Sequence, residues 1–80
     1  MAYRPQYSRG AEKYLDTQTQ NVRKRIMDAV DKLPDGDVRK LQGRKGYRLT
    51  VGGFRVLFDY LEDNVIDVVA IGSRGDVYKK

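Results

Sequence analysis

Hydrophobic and polar residues alternate along residues 46–60, and two glycines, Gly52-Gly53, interrupt the alternation. A two-residue connection of this composition is typical of a tight β-hairpin turn, in which the central residues adopt positive φ. The turn sets the register, so Val51 pairs with Phe54 and paired residues share one face of the sheet. One face of this hairpin is therefore apolar and aromatic, with Tyr47, Leu49, Val51, Phe54, Val56, Phe58 and Tyr60.

The opposite face of the hairpin is more polar and basic. A register shift of one residue would bury both of its arginines, at a cost on the order of several kcal/mol for each unpaired charge. We therefore expect this face to be open to solvent. Its cations either bind an anionic ligand or solvate the face and protect the sheet against aggregation. The residues of this face are Arg48, Thr50, Arg55, Leu57 and Asp59.

Two segments before the hairpin have helical periodicity. Ser8 can cap the first helix, which runs to about Thr17 with Ala11, Tyr14 and Leu15 on one side. The second helix has a longer apolar stripe and ends at the helix-breaking run 33–36. Together the two helices predict a helical hairpin that covers the apolar face of the sheet. The stripe of the second helix consists of Val22, Ile26, Ala29, Val30 and Leu33.

The remaining segments complete a small sheet. Residues 3–7 predict an edge or bulged strand, because Pro5 cannot donate a ladder hydrogen bond. Residues 38–45 are interpreted as a basic connector, and residues 62–64 as a turn. Residues 65–71 are apolar at nearly every position, which favours an interior strand between the N-terminal strand and the hairpin.

These elements predict an α+β fold in the order β-α-α-β-β-β. The helical hairpin packs on one face of a mostly antiparallel four-stranded sheet. The 80 residues are expected to form a single domain.

Composition restricts the chemistry. The chain has no Cys and no His, which excludes disulfides, thiolate metal sites and imidazole general bases. No cofactor or metal is expected. The sequence shows no signal peptide and no apolar run of the ~20 residues that a membrane helix needs, so a cytoplasmic location and no membrane partner are expected.

Positive charge is concentrated in one part of the chain. The formal net charge is +5, and no Asp or Glu occurs between Val38 and Phe58. This clustering favours a phosphate-bearing or otherwise anionic partner, with a solvated connector as the alternative for its first four cations. The six cations in this window are Arg39, Lys40, Arg44, Lys45, Arg48 and Arg55.

Four short motifs occur in order along the second half of the chain. They resemble the K-L-x-G, Y-R-L, G-x-[YF]-R-[VL]-x-[YF] and I-G-x-R-x-x-V-Y signatures of the RelE/ParE superfamily of bacterial and archaeal toxins. Each motif alone is weak, but their order and spacing are specific at the level of the superfamily. The motifs are Lys40-Leu41-Gln42-Gly43, Gly46-Tyr47-Arg48-Leu49, Gly53-Phe54-Arg55-Val56-Leu57-Phe58 and Ile71-Gly72-Ser73-Arg74-Gly75-Asp76-Val77-Tyr78.

The resemblance implies a RelE-like toxin of a type II toxin–antitoxin pair. Such toxins enter the ribosomal A site and cut mRNA there without a metal, so that translation stops. The 2′-hydroxyl of the RNA attacks the adjacent phosphorus and leaves a 2′,3′-cyclic phosphate. The implied partners are the ribosome, its mRNA and a cognate antitoxin that wraps the toxin.

The resemblance also implies roles for individual residues. Arg48 and Arg55 correspond to strand residues that hold the phosphate, Arg74 to a third cation, and Tyr78 to a tail tyrosine near the scissile bond. Thr50 stands where RelE enzymes of the best-known type carry a second lysine, and the segment from Arg74 to Tyr78 is shorter than in that type. These departures weaken the enzymatic interpretation.

The residue types fit part of this chemistry. Arginine binds phosphate bidentately but cannot transfer protons at neutral pH, so a proton carrier must come from elsewhere. Tyr78 is the first candidate, because nearby guanidinium groups would favour its phenolate, and Lys45, Lys79 and Lys80 are alternatives. A tail tyrosine that only packs over the sheet remains possible. The predicted RNA-binding residues outside this set are Arg39, Lys40, Arg44, Lys45 and Thr50.

Two other functions remain open from the sequence. A ParE-like protein would use the same scaffold to inhibit DNA gyrase without catalysis. A basic module that binds RNA or a protein partner without toxicity is the third interpretation. The catalytic face does not distinguish a RelE-like endonuclease from a ParE-like gyrase inhibitor, because it keeps Arg48 and Arg55 but has Thr50 in place of the lysine.

Overall fold

A computed structural model describes residues 3–73 as two helices and a five-stranded sheet. The strand order is β1-β5-β4-β3-β2, with β1 parallel to β5 and every other pair antiparallel. The elements are β1 (Arg4–Tyr7), α1 (Arg9–Asp16), α2 (Gln20–Asp31), β2 (Asp37–Lys40), β3 (Tyr47–Val51), β4 (Phe54–Leu61) and β5 (Val65–Ser73), with a 3-10 turn at Glu62–Asn64.

The predicted α+β class is confirmed, and the strand count differs. Both helices contribute to one core with the apolar face of the sheet, and the predicted edge position of β1 and interior position of β5 are correct. The sheet has five strands within the described residues rather than four, because residues 37–40 pair with β3 instead of forming a connector. Val38, which pairs with Leu49, is the one apolar residue of this strand.

The register of the central hairpin is as predicted. Val51 pairs with Phe54, and Leu49 with Val56. Of the two turn glycines, Gly52 has positive φ, at 58°, and Gly53 does not, whereas the prediction gave positive φ to both. Positive φ at the first central residue alone is the pattern of a type II′ turn, which also matches the twist of a hairpin.

Both helices begin at a hydroxyl cap. The Oγ of Ser8, the predicted cap of α1, accepts a hydrogen bond from the Ala11 amide at 3.1 Å. Thr19 caps α2 in the same way, through the Val22 amide at 3.2 Å. These contacts satisfy amides that have no partner within the helix and orient each apolar stripe toward the sheet.

A β-bulge interrupts the pairing of β4 with β5. Leu57 pairs with Ala70 and Phe58 with Val68, so Val69 is the extra residue. Val69 is consequently 49% exposed within an otherwise apolar strand. Residues three positions apart in a regular strand face opposite sides, but the bulge allows both Val68 and Ile71 to face the core.

Aromatic rings extend the core at one end of the sheet. The Tyr47 ring lies 5.6 Å from that of Phe58 and 5.1 Å from that of Tyr60, and the Tyr3 ring lies 5.3 Å from Tyr60. The predicted core positions of Phe54, Phe58 and Tyr60 are confirmed. Within residues 3–73, neither helix is long and apolar enough to span a lipid bilayer.

Gly46 is a position that only glycine fits. Its φ is +115°, and a Cβ there would lie 3.1 Å from the backbone oxygen of Phe58. We expect Gly46→Ala to lower the free energy of unfolding by about 1–3 kcal/mol, since positive φ strains an L-residue. Gly53→Ala is the control, because no atom lies within 4 Å of its Cβ position and its φ is not positive. Equal stabilities of the two variants in urea denaturation would contradict this expectation.

The Tyr7 hydroxyl is buried and has no hydrogen-bond partner within the described part of the chain. Burial, with a smaller contribution from the negative charge of Asp31, raises the pKa of Tyr7 from 10.0 to about 12. Below pH 10 both the folded and unfolded states keep this proton. At higher pH the unfolded state releases it first, so this group lowers stability as the pH rises through 12.

We therefore expect Tyr7→Phe to be at least as stable as the wild type at pH 7, because it removes an unpaired buried hydroxyl. Between pH 10 and 12 it should lose less stability than the wild type. Denaturation in urea across this pH range measures both effects. Parallel pH profiles for the two proteins would contradict the assignment.

Candidate functional site

The sheet face opposite the helices carries the arginines predicted from the sequence. We call this surface the open face. Arg48 and Thr50 reach it from β3 and Arg55 from β4, because each alternates with a residue of the core face. All three side chains are half-buried. Thr50 lies directly opposite Arg55, so Arg48 and Arg55 are diagonal neighbours.

Strand β2 adds two charged residues that the predicted topology did not place here. Arg39 pairs with Arg48, and Asp37 pairs with Thr50, so both lie on the open face. The sequence signal for β2 is weak, since three of its four residues are charged. Val38 lies between two charged residues, and this polar–apolar alternation is the pattern that could have indicated the strand.

The guanidinium group of Arg55 is largely available for a ligand. Its Nη1 donates one long hydrogen bond, 3.4 Å, to the backbone oxygen of Phe54. The group makes no ion pair with an acid among residues 3–73. A guanidinium group has five N–H donors, so several remain to bind a phosphate oxygen.

The other end of the open face is acidic and apolar. Asp59 of β4 pairs with Asp67 of β5, which places two carboxylates side by side. The Nζ of Lys45 lies 3.5 Å from Oδ2 of Asp59 and offsets part of this repulsion. A cleft of about 190 Å³ lies here, and its apolar lining includes Leu41, Leu57, Leu61 and Val69.

The structure separates the residues predicted to bind RNA. Arg39 and Thr50 lie beside the arginines, whereas Lys40 pairs with Tyr47 and shares the side of the core residues. Arg44 is exposed in the loop between β2 and β3, and Lys45 contacts Asp59. Two further candidates, Arg74 and Tyr78, lie outside the described residues, as do Lys79 and Lys80.

Comparison with protein families identifies the chain. A family model described as the ParE toxin of type II toxin–antitoxin systems, parDE, matches residues 6–78. The chain belongs to this toxin family. No curated protein sequence matches the toxin significantly.

Solved structures place the toxin in the wider RelE/ParE superfamily. It is similar to the archaeal RelE–RelB complex from Pyrococcus horikoshii OT3, with 26% identity, a TM-score of 0.75, and 95% and 99% of the two chains covered. A RelBE toxin–antitoxin complex from Mycobacterium tuberculosis gives 12% identity, a TM-score of 0.76, and 92% and 100% coverage. A mutant of Escherichia coli RelE in the free state gives 18% identity, a TM-score of 0.59, and 91% and 84% coverage.

The charges of the open face would direct an anion toward one end. The three arginines lie together with one acid, Asp37, whereas Asp59 and Asp67 occupy the far end with Lys45. Among residues 3–73, no cluster of three acidic, His or Cys side chains is arranged to hold a metal ion. The guanidinium groups of the three arginines can bind and polarise an anion.

The acidic end yields a test of this charge division. We expect Asp59→Asn to increase the affinity of the toxin for a short single-stranded RNA several-fold at low salt, because it removes a negative charge and releases Lys45. Glu62→Gln removes an equal charge from the exposed turn after β4 and serves as the control. Fluorescence anisotropy measures the affinities. Equal affinities for the two variants would show that the position of the charge has no effect.

Proposed function

We propose that this toxin is a ribosome-dependent mRNA endonuclease. The observation that supports the proposal most directly is the diagonal pair Arg48 and Arg55 on the open face, where the guanidinium group of Arg55 keeps donors for a phosphate. In the proposed reaction the 2′-hydroxyl of a nucleotide in the A site attacks the adjacent phosphorus. The bond from phosphorus to the 5′-oxygen breaks, and a 2′,3′-cyclic phosphate remains.

The arginines would stabilise the charge that develops on the phosphate oxygens. Two guanidinium groups from neighbouring strands can contact different nonbridging oxygens, and the strands hold them in place before the substrate arrives. Their charge persists at neutral pH, so they cannot accept the proton of the 2′-hydroxyl or protonate the leaving 5′-oxygen. Arg48 and Arg55 are therefore assigned to phosphate binding and charge stabilisation.

Proton transfer is assigned to Tyr78, with Arg74 as a further cation at the phosphate. This assignment rests on the sequence motif at residues 71–78. Lys45 is a weaker candidate for the proton carrier, because its contact with Asp59 places it at the acidic end of the open face, away from the arginines.

Inhibition of DNA gyrase is the second candidate function. Two observations favour it: the matching family model is that of the ParE toxin, and Thr50 occupies the position of a lysine in the best-known RelE enzymes. In this case the open face would be a binding surface without catalysis.

A cognate antitoxin is the proposed protein partner. The similar structures from P. horikoshii and M. tuberculosis are toxin–antitoxin complexes. In this toxin, β1 and β2 form the two edges of the sheet, and an edge strand can pair with an added strand. An acidic antitoxin segment that covers Arg48 and Arg55 would block phosphate binding.

The decisive experiment uses purified ribosomes programmed with a defined mRNA. We expect the wild-type toxin to cut the message in the A site and to leave an end that becomes a ligation acceptor only after the cyclic phosphate is removed. An mRNA with a single 2′-deoxynucleotide before the scissile phosphate should resist cleavage. Arg48→Ala and Arg55→Ala should each reduce the single-turnover rate roughly 100- to 1,000-fold.

Arg9→Ala is the matched control, since Arg9 is exposed at the start of α1, away from the open face. A supercoiling assay with purified gyrase distinguishes the alternative. Intact mRNA together with inhibited supercoiling would replace the endonuclease proposal with the gyrase proposal. Cleavage that is unchanged in Arg55→Ala would contradict the assigned site.

A further inference from the structure

We propose that Arg39 and Arg48 form a second phosphate subsite, which binds the phosphate next to the scissile one. The inference rests on the proposed function, which supplies RNA as the ligand and assigns the scissile phosphate to Arg48 and Arg55. It gives β2 a role in positioning the RNA strand.

The register of β2 brings Arg39 and Arg48 together. Arg39 lies directly opposite Arg48 on adjacent antiparallel strands. Side chains in such a pair share a face, and their Cβ atoms lie about 4.5–5.5 Å apart. The two guanidinium groups can therefore converge on one anion.

The charges at this position suit an anionic ligand. Arg39 and Arg48 are both cationic and occupy paired positions. Asp37, on the same strand, lies opposite Thr50, one same-face position away from Arg39. A phosphate between the two guanidinium groups can accept charge-assisted hydrogen bonds from both.

The spacing on this face fits successive phosphates. Arg39 and Arg48 form one row across the sheet, while Thr50 and Arg55 form the next. Same-face positions along a strand are about 6.6–6.8 Å apart, which is comparable to the separation of successive phosphates in an extended RNA strand. Arg48 lies in the first row and is a diagonal neighbour of Arg55 in the second, so it can contact both phosphates, whereas Arg39 reaches only the neighbouring one.

Lys40 provides a control within the same strand. It has the same formal charge as Arg39 and directly follows it, but its pairing with Tyr47 places it on the other side of the sheet. Nonspecific attraction by a basic segment would involve Arg39 and Lys40 about equally. A built subsite would involve Arg39 alone.

The test measures binding of a fluorescent five-nucleotide uridine RNA to the free toxin between about 50 and about 200 mM salt. We expect Arg39→Ala to reduce the slope of log affinity against log salt by about 0.7, the value for one lost phosphate contact in a single strand. Arg39→Lys should restore most of the slope, since it keeps the charge. Lys40→Ala should retain the wild-type slope.

Thermal denaturation without RNA provides an independent measurement. Arg39 is exposed on the edge strand β2, so Arg39→Ala should melt close to the wild-type temperature. Weaker RNA binding by a fold of equal stability distinguishes the loss of a ligand contact from structural damage. Equal slopes for Arg39→Ala and Lys40→Ala would overturn the proposal.

Cleavage on the ribosome locates the subsite. Two mRNAs each carry one neutral methylphosphonate, on the 5′ or on the 3′ side of the scissile phosphate. The wild type should cut one of the two more slowly than the unmodified mRNA. With that mRNA, Arg39→Ala should cause no further loss of cleavage rate. Full additivity on both sides would overturn the subsite. RNA binding without any cleavage by the wild type would contradict the endonuclease proposal instead and leave the salt-slope test of Arg39 intact.

Discussion

The fold depends on the alternation of side chains in the hairpin of β3 and β4. The two-residue turn sets a register in which Leu49, Val56 and Phe58 face the helices. The same register excludes Arg48 and Arg55 from the core, where an unpaired guanidinium would be costly. One geometric constraint therefore produces both the core of the toxin and its cationic surface, so a change of register would destroy them together.

The remaining strands shape the open face around this hairpin. On one side β2 brings a third arginine, Arg39, beside Arg48. On the other side β5 brings Asp67 beside Asp59, and the bulge at Val69 exposes an apolar residue there. The result is a face with a cationic end suited to an anion and an acidic end that repels one, which limits where an anionic ligand can bind.

Family membership and the chemistry of the face bear differently on function. The family match establishes a toxin of a type II toxin–antitoxin system, and the fold is shared with RelE proteins. On the same scaffold, the distinction between an RNA-cutting enzyme and a noncatalytic inhibitor depends on a few side chains. Thr50 removes one cation relative to the best-known RelE enzymes, and Arg39 supplies another from a different strand.

The sequence by itself determined the elements with strong periodicity. The alternation in the hairpin, the apolar stripes of both helices and the apolar run of β5 predicted the α+β class, the core and the placement of Arg48 and Arg55 on the sheet face opposite the core. Each of these signals arises from residues close in the chain that share one environment, so local pattern is sufficient to show it.

Only the tertiary structure decided the features that depend on pairing between distant residues. The short edge strand β2 has one apolar residue among charged ones, so its sequence does not distinguish a strand from a solvated connector, and its partner β3 provides the missing hydrogen bonds. The placement of Arg39 opposite Arg48 follows from that pairing, and the bulge at Val69 follows from the pairing of β4 with β5. The contact of Lys45 with Asp59 likewise joins the loop before β3 to β4. Register is a relation between two strands, and the sequence of either strand alone does not contain it.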